Sequence, residues 1–411
     1  MQHRVIVLGG GYSGAVAAGR LARRLDPADV RITLVNAAPD FVERVRLHQL
    51  AAGQNLRHRP LSEMFQGTGV RLRTAEVTGI DVGRRTVKVK GAAADGGGEE
   101  LEYDTLVYAL GSGWDDHGVP GVAEHAHEVA SRAGALRLRE RLAGLEAGRS
   151  VVVVGGGLTG LEAATEIAES HPHLSVSLAV RGELGDWLSV KGRGHLRKVV
   201  DGLGIAVHEH ADVTGVAADR VTTADGREVP AAVTVWTAGF AVHPLAGATG
   251  LETGATGQIV VDATMRSVSH PDVYAVGDAA LVMGPGDKPL RMSCASGVPT
   301  AWQAADSLAA RLTGGKLPRT PMRYFNQCVS LGRKEGLIQY VTADDRSVNA
   351  ALTGRFAALY KELVCKGAAW GVANPLFRMP VRRRRIARDA TEASPVAGVR
   401  AADVPAADVS A

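Results

Sequence analysis

The 411-residue chain is poor in several things, and each shortage removes a class of protein. It has three cysteines, Cys294, Cys328 and Cys365, odd in number and far apart, with no CxxC or CxxxxC pair anywhere. That argues against a disulfide framework, a paired-cysteine zinc site and dithiol relay chemistry. No apolar run approaches the ~18 residues needed to span a bilayer. Charge of one sign is not in excess: 47 Lys and Arg against 43 Asp and Glu leave +4, too little for a nucleic-acid binder without clustering on one face. Residues 1–4 lead straight into an apolar run with no signal-peptide pattern, so an intracellular, cytoplasmic protein is expected, soluble or peripheral at the inner face of a membrane. Aromatics make up only 4% while glycine reaches 50 residues, which implies many tight turns and close backbone approaches.

What the chain does have is an internal repeat. RVIVLGGGYSG at 4–14 and SVVVVGGGLTG at 150–160 are each a β-branched run, then glycines, then an Ala- and Leu-rich helical stretch. Second strands follow at 31–36 (RITLVN) and 175–180 (SVSLAV). Strand–helix–strand alternation implies parallel sheets with right-handed crossovers. Between the copies the pattern predicts short strands and a hairpin over 71–108, then a helix over 131–147. After the second copy it predicts strands at 205–209, 232–237, 257–262 and 272–278, and a helix over 298–312. Two strands within 324–340 join at 333–336, and a helix over 353–370 carries Phe356, Leu359, Tyr360, Leu363 and Trp370 on one stripe. No element is expected from Asp389 onwards.

Gly9, Gly11 and Gly14 form GxGxxG between a strand and a helix, and Gly155, Gly157 and Gly160 repeat it. The first glycine permits the turn, the second lets a pyrophosphate approach, and the third lets helix and sheet pack. The diphosphate then meets unpaired N–H groups at the positive end of the helix. Two copies imply two dinucleotides. About 20 residues on, where an acid holds ribose hydroxyls, the first unit has Asn36 and the second has Val180 followed by Arg181. An arginine there suits a 2′-phosphate, which leans towards NADPH or mixed use; an exposed loop arginine is the alternative.

Three further strings, YDTLVYALGS (103–112), VWTAGF (235–240) and GQIVVDATMRSVSHPDVYAVGDAA (257–280), resemble the crossover and flavin-ribityl segments of the two-dinucleotide-binding flavoproteins. Within that superfamily the chain is most similar to type II NADH dehydrogenases, over about residues 3–385. The resemblance implies an α/β fold with two Rossmann-like domains, the NAD(P) domain inserted in the FAD domain, plus a small C-terminal α+β domain. The implied boundaries are 1–112 and 241–316 for the FAD domain, 113–240 for the NAD(P) domain, 317–386 for the C-terminal domain and 387–411 for a disordered tail.

It also implies FAD and NADH or NADPH as cofactors, with hydride passing from nicotinamide to flavin and electrons then leaving for a quinone or quinone-like aromatic. A ferredoxin-type protein acceptor and a specific metabolite are the alternatives. The cofactor-binding residues so implied, beyond the six glycines, are Tyr12, Ser13, Asn36, Arg46, Val77, Ala109, Gly111, Leu158, Thr159, Arg181, Ala238, Gly239, Gly277, Asp278, Pro299 and Thr300. Asp278 matches the aspartate that bonds the FAD ribitol. Glu162 matches a glutamate near the nicotinamide, with a first-turn dipole role as the other reading. Arg44, Arg46 and His48 lie in the flavin-facing loop DFVERVRLHQLAAG (40–53) and suit an anionic or quinoid acceptor, with His48 a proton donor. In SGVPTAWQAAD (296–306) Gln303 matches the later glutamine of the quinone motif, while Pro299 replaces the earlier one. Trp302 offers a stacking surface for an aromatic acceptor or a core position. The helix at 353–370 followed by four arginines at 382–385 suits an anionic membrane surface, a homodimer contact or a solvated tail. No metal site is expected.

Overall fold

The computed structural model describes residues 2–91, 98–318, 322–375 and 382–387; the expected tail at 387–411 lies almost wholly outside the described residues. The runs RVIVL and SVVVV form the centres of two parallel sheets because their β-branched side chains bury on both faces. In the first sheet His3–Leu8 pairs in parallel with Val30–Asn36 and with Thr105–Tyr108. Arg71–Asp81 extends it on one side, continued by the antiparallel strands Thr86–Gly91 and Gly98–Glu102. On the other side it is closed by Val273–Ala275, which arrives from far along the chain. The second sheet runs Ala206–His208, Ser175–Ala179, Ser150–Val154, Val233–Trp236, Ala126–His127, all parallel. The chain crosses between the sheets twice, at Ser112–Trp114 and Phe240–Val242, and these two passages pair antiparallel.

A third, antiparallel sheet of Asn326–Leu331, Glu335–Val341 and Ser347–Thr353 packs its Val329, Leu331 and Leu337 into the same core as Leu161 and Ile167 of the helix Leu158–Ser170. Each such fully buried side chain contributes about 1.5–3 kcal/mol relative to exposure. The last strand of this sheet, SVNAALT, was not expected, because its residues alternate only weakly.

Several boundaries differ from expectation. The helix Arg132–Ala143 is capped by Ser131, whose hydroxyl accepts from Gly134 N at 2.9 Å, and it stops at Gly144, short of 147. The late helix begins at Cys294 rather than 298 and carries Pro299 inside it. Proline removes one helical N–H there; the turn before it is held by the Ser296 hydroxyl, within bonding distance of the Arg291 and Ser293 carbonyls at 2.6 and 2.9 Å. In the helix Arg355–Ala373 the large apolar residues face outward, Phe356 being 77% exposed. The buried stripe is Ala357, Cys365, Ala369 and Val372. Small residues let this helix come close to the sheet: a Cβ on Gly336 would lie 2.6 Å from Ala358 N.

Candidate active site

The first glycine turn is shaped for a diphosphate. Gly9 has φ +96°, and a Cβ there would sit 2.3 Å from the Ala109 carbonyl oxygen. A Cβ on Gly14 would lie 1.9 Å from the Gly9 carbonyl oxygen, so helix and turn touch through it. At Gly11, by contrast, a Cβ would meet nothing within 4 Å. The helix Tyr12–Arg24 has no side-chain cap and no acid in its first turn, so its leading N–H groups face open space. The Tyr12 hydroxyl is buried without a hydrogen-bond partner among the described residues, its ring edge-on to Phe41. Asn36 braces this turn, accepting from Gly10 N at 2.8 Å and donating to the Ala38 carbonyl at 2.7 Å. Its amide thus makes one backbone bond at each end, leaving one N–H and one lone pair.

Three distant segments meet beside this turn. Ser13 Oγ lies where a Cβ on Gly277 or Gly297 would come within 2.5 or 2.8 Å. Thr300 accepts from Gly277 N at 3.1 Å and donates to the Gly297 carbonyl at 2.9 Å, with Pro299 half-buried beside it. Asp278 accepts from Ser112 Oγ at 2.7 Å. Arg44 donates to the Ser112 carbonyl at 2.5 Å, lies 3.8 Å from Asp278 and covers the Phe240 ring. Gly111, with φ +70°, faces Arg44, while Val77 and Ala109 are buried in the core of the first sheet.

The second turn repeats the design. Gly155 has φ +122°, and a Cβ on Gly160 would be 2.0 Å from its carbonyl oxygen. Gly157 precedes an uncapped helix opening with the half-buried Leu158 and Thr159. The Ala238 carbonyl accepts from His117 Nε2 at 2.7 Å, and Gly239 leaves room for that ring, a neighbour the sequence did not reveal. Arg181 is 65% exposed and pairs with Asp212 at 3.3 Å.

Between the second and third sheets lies a buried polar cluster. Glu162 Oε1 accepts from Ser330 N at 3.0 Å, from Ser330 Oγ at 3.1 Å and from Lys361 Nζ at 2.9 Å. Its Oε2 stands 3.7 Å from His48 Nδ1. Burial opposes the charge on Glu162, but Lys361 and His48 hold its carboxyl below the ordinary value. Lys361 likewise has its ammonium held charged against burial by Glu162, and it also donates to the Cys328 carbonyl at 3.0 Å. Burial pushes His48 down to about 4, with Glu162 opposing. His48 is therefore neutral at neutral pH, with one ring N–H still able to donate. Glu162 falls beyond the first turn of its helix and bonds the third sheet, so the dipole reading does not describe it.

Other residues singled out in the sequence make contacts within the protein. Gln303 is 5% exposed and donates to the Ala263 and Pro318 carbonyls at 3.1 and 3.2 Å, a bracing role. Arg46 faces two carboxylates, Glu362 at 2.9 Å and Glu43 at 3.3 Å. Trp302 lies under the Arg20 guanidinium at 5.7 Å. The three cysteines are free, and no cluster of metal-ligating side chains occurs among the described residues.

Sequence reasoning missed Lys361, Ser330 and Glu166. Glu166 lies one helical turn past Glu162; Gln54 donates to one of its oxygens, and the other is buried without a partner among the described residues. Burial raises its carboxyl to about 7. Lys361 was legible in principle, since 357, 361, 365, 369 and 372 form the small-residue stripe, but the larger stripe at 356–363 masked it. Beyond Lys361 a pocket of about 260 Å³ is lined by Gln49, Ser330, Arg333, Lys334, Arg355 and Glu362 among others.

A family model described as pyridine nucleotide-disulphide oxidoreductase matches residues 3–308. A protein named NADH dehydrogenase-like from Mycobacterium tuberculosis (strain CDC 1551 / Oshkosh) is 32% identical over 322 residues, covering 72% of this chain and 77% of its own. The type II NADH:quinone oxidoreductase NdhA of Mycobacterium tuberculosis (strain ATCC 25618 / H37Rv) is 28% identical, covering 79% of this chain and 76% of its own. The solved NDH2 of Plasmodium falciparum in complex with NADH superposes with a TM-score of 0.75 at 14% identity, covering 89% and 94% of the two chains, and shares the fold. With two glycine-cradled, uncapped helix starts on two parallel sheets, the chain belongs to the pyridine nucleotide-disulphide oxidoreductase family.

Proposed function

We propose that the chain is an FAD-dependent NAD(P)H dehydrogenase that reduces a quinone or quinone-like aromatic ring. In balance, NAD(P)H, one proton and the quinone give NAD(P)⁺ and the hydroquinone. The observation that carries the reading is the pair of cradles, each an uncapped helix start opening from a glycine turn. Bound flavin would supply the two-electron relay between nicotinamide and acceptor. The residues present fit it: Gly11 leaves space where a diphosphate approaches, and the unpartnered Tyr12 hydroxyl and Ser112-braced Asp278 offer polar contacts along its length.

On this reading residues 1–112 and 241–316 hold FAD and 113–240 hold NAD(P)H. Glu162, fixed by Ser330 and Lys361, is the carboxylate assigned to the nicotinamide side. The relatives named as type II NADH:quinone oxidoreductases support a quinone as the acceptor. Anaerobic stopped-flow mixing of the yellow protein tests it. Rapid bleaching with NADH or NADPH, followed by rapid reoxidation by a quinone, is the expected result. No bleaching with either nucleotide rejects the reading.

The exposed apolar face of the helix Arg355–Ala373, with basic residues at 382–385, is assigned to peripheral contact with an anionic bilayer. No helix among the described residues is long and apolar enough to cross a membrane. Co-sedimentation with phosphatidylglycerol vesicles, lost at high salt, is expected; a dimer in solution with no vesicle binding would assign the face to a second copy instead.

A further inference from the structure

The pocket beyond Lys361 carries an inference about the acceptor itself, resting on the quinone-type reading above. At about 260 Å³ it lies just below the usual ~300–1,000 Å³ of clefts that enclose a whole ligand, so it suits a ring head rather than an entire molecule. Its walls are the turn 332–334 of the third sheet and the first turns of the helix Arg355–Ala373.

The charge of this lining is one-sided. Arg333, Lys334, Arg355 and Lys361 line it with one carboxylate, Glu362. That carboxylate is already engaged by Arg46 at 2.9 Å, Lys366 at 3.2 Å and Arg333 at 3.4 Å. Burial works against its charge, yet these cations hold it down at about 2. Lys361 is matched by Glu162 and Lys334 by Glu169, at 2.9 and 3.7 Å. Arg355 has no carboxylate partner among the described residues.

Two neutral features point the same way. Gln49 is 5% exposed and lines the pocket; its Oε1 accepts from Arg46 at 3.2 Å, and its amide nitrogen has no acceptor among the described residues. The helix beginning at Arg355 follows Gly354 without a side-chain cap or an acid in its first turn, so its leading N–H groups add to the positive potential. An amide donor on the pocket wall is free to meet an acceptor that a ligand brings.

We propose that the acceptor ring taken by this pocket bears an anionic oxygen group, a carboxylate or sulfonate, received by Arg355, Arg333 and the Gln49 amide. Lys361 and Ser330 then form the floor, with Ala358, Leu359 and Cys365 against the ring.

The test uses the full-length, FAD-loaded protein at saturating NADH, with 1,4-naphthoquinone and 1,4-naphthoquinone-2-sulfonate as the two acceptors. The sulfonate is expected to show a KM about tenfold lower at low salt, a gain that shrinks as salt screens it. In Arg355→Gln the advantage is expected to fall at least about fivefold, and Arg355→Lys is expected to restore part of it. Flavin content confirms that each variant is folded. Turnover of both acceptors at equal KM, or an advantage unchanged in Arg355→Gln, overturns this inference alone. Turnover of neither acceptor overturns the quinone-type reading and this inference together.

Discussion

Lys361 Nζ sits 2.9 Å from Glu162 Oε1, joining the C-terminal helix to the helix of the second glycine turn across the third sheet. Neither side chain is more than 16% exposed. Together with Arg46–Glu362 at 2.9 Å, the pair ties the last helix to the rest of the chain electrically as well as sterically.

Breaking it from one side leaves an uncompensated buried charge. Lys361→Met is expected to destabilise the protein by about 3–5 kcal/mol, and the double variant with Glu162→Gln by distinctly less than the sum of the singles. Urea denaturation of the four proteins in the cycle measures this; strict additivity would mean that the two charges do not interact.

The His48 imidazole sets an acid limit. Its folded value near 4 lies below the ordinary 6.5, so the unfolded chain takes up a proton that the folded one refuses. Stability is therefore expected to fall as pH drops from 6.5 towards 4, by on the order of 2–3 kcal/mol. The lowered carboxyl of Glu162 acts in a separate window, losing its contribution only as pH falls through values below its ordinary 4.5. A His48→Gln variant should show a flatter profile between pH 6.5 and 4 in thermal melts, and an unchanged slope would reject the assignment.

Two glycines of one turn should fail differently. Gly14→Ala places a Cβ 1.9 Å from the Gly9 carbonyl oxygen, so soluble yield and melting temperature should drop. Gly11→Val meets no protein atom within 4 Å of its Cβ, so the fold should persist while retained flavin falls at least about tenfold. Absorbance ratios of purified protein separate the two effects.

Nucleotide preference tests the end of the strand Ser175–Ala179. Asp212→Ala releases Arg181 from its 3.3 Å partner and should raise kcat/KM for NADPH relative to NADH by about three- to tenfold. Arg181→Ala should move the ratio the other way. Equal ratios in all three proteins would place Arg181 outside the nucleotide site.

The two cradles were readable because their chemistry is local: five or six residues carry strand, turn and helix start, and the glycines at 9, 14, 155 and 160 are forced by backbone contact. The cluster around Glu162 was half-readable. Residues 48, 162, 330 and 361 come from four elements, and only the packing of the third sheet on the helix Leu158–Ser170 brings them together. The contacts of Gln303 were not readable for a related reason. Its place along the late helix matched a family pattern, but the side chain turns to the Ala263 and Pro318 carbonyls, a choice made by loops that sequence spacing does not reach. The outward face of the last helix was legible from its large apolar residues, but its inward stripe was not, because close approach at Gly336 selects small side chains that carry little pattern.

The antiparallel pairing of Ser112–Trp114 with Phe240–Val242 has a mechanical meaning. A unit joined by one strand can swivel; a unit joined by a two-stranded ribbon can bend and twist but cannot spin about its attachment. Residues 115 to 239 are thus tied to the first sheet by two strands rather than one, with entry and exit held side by side.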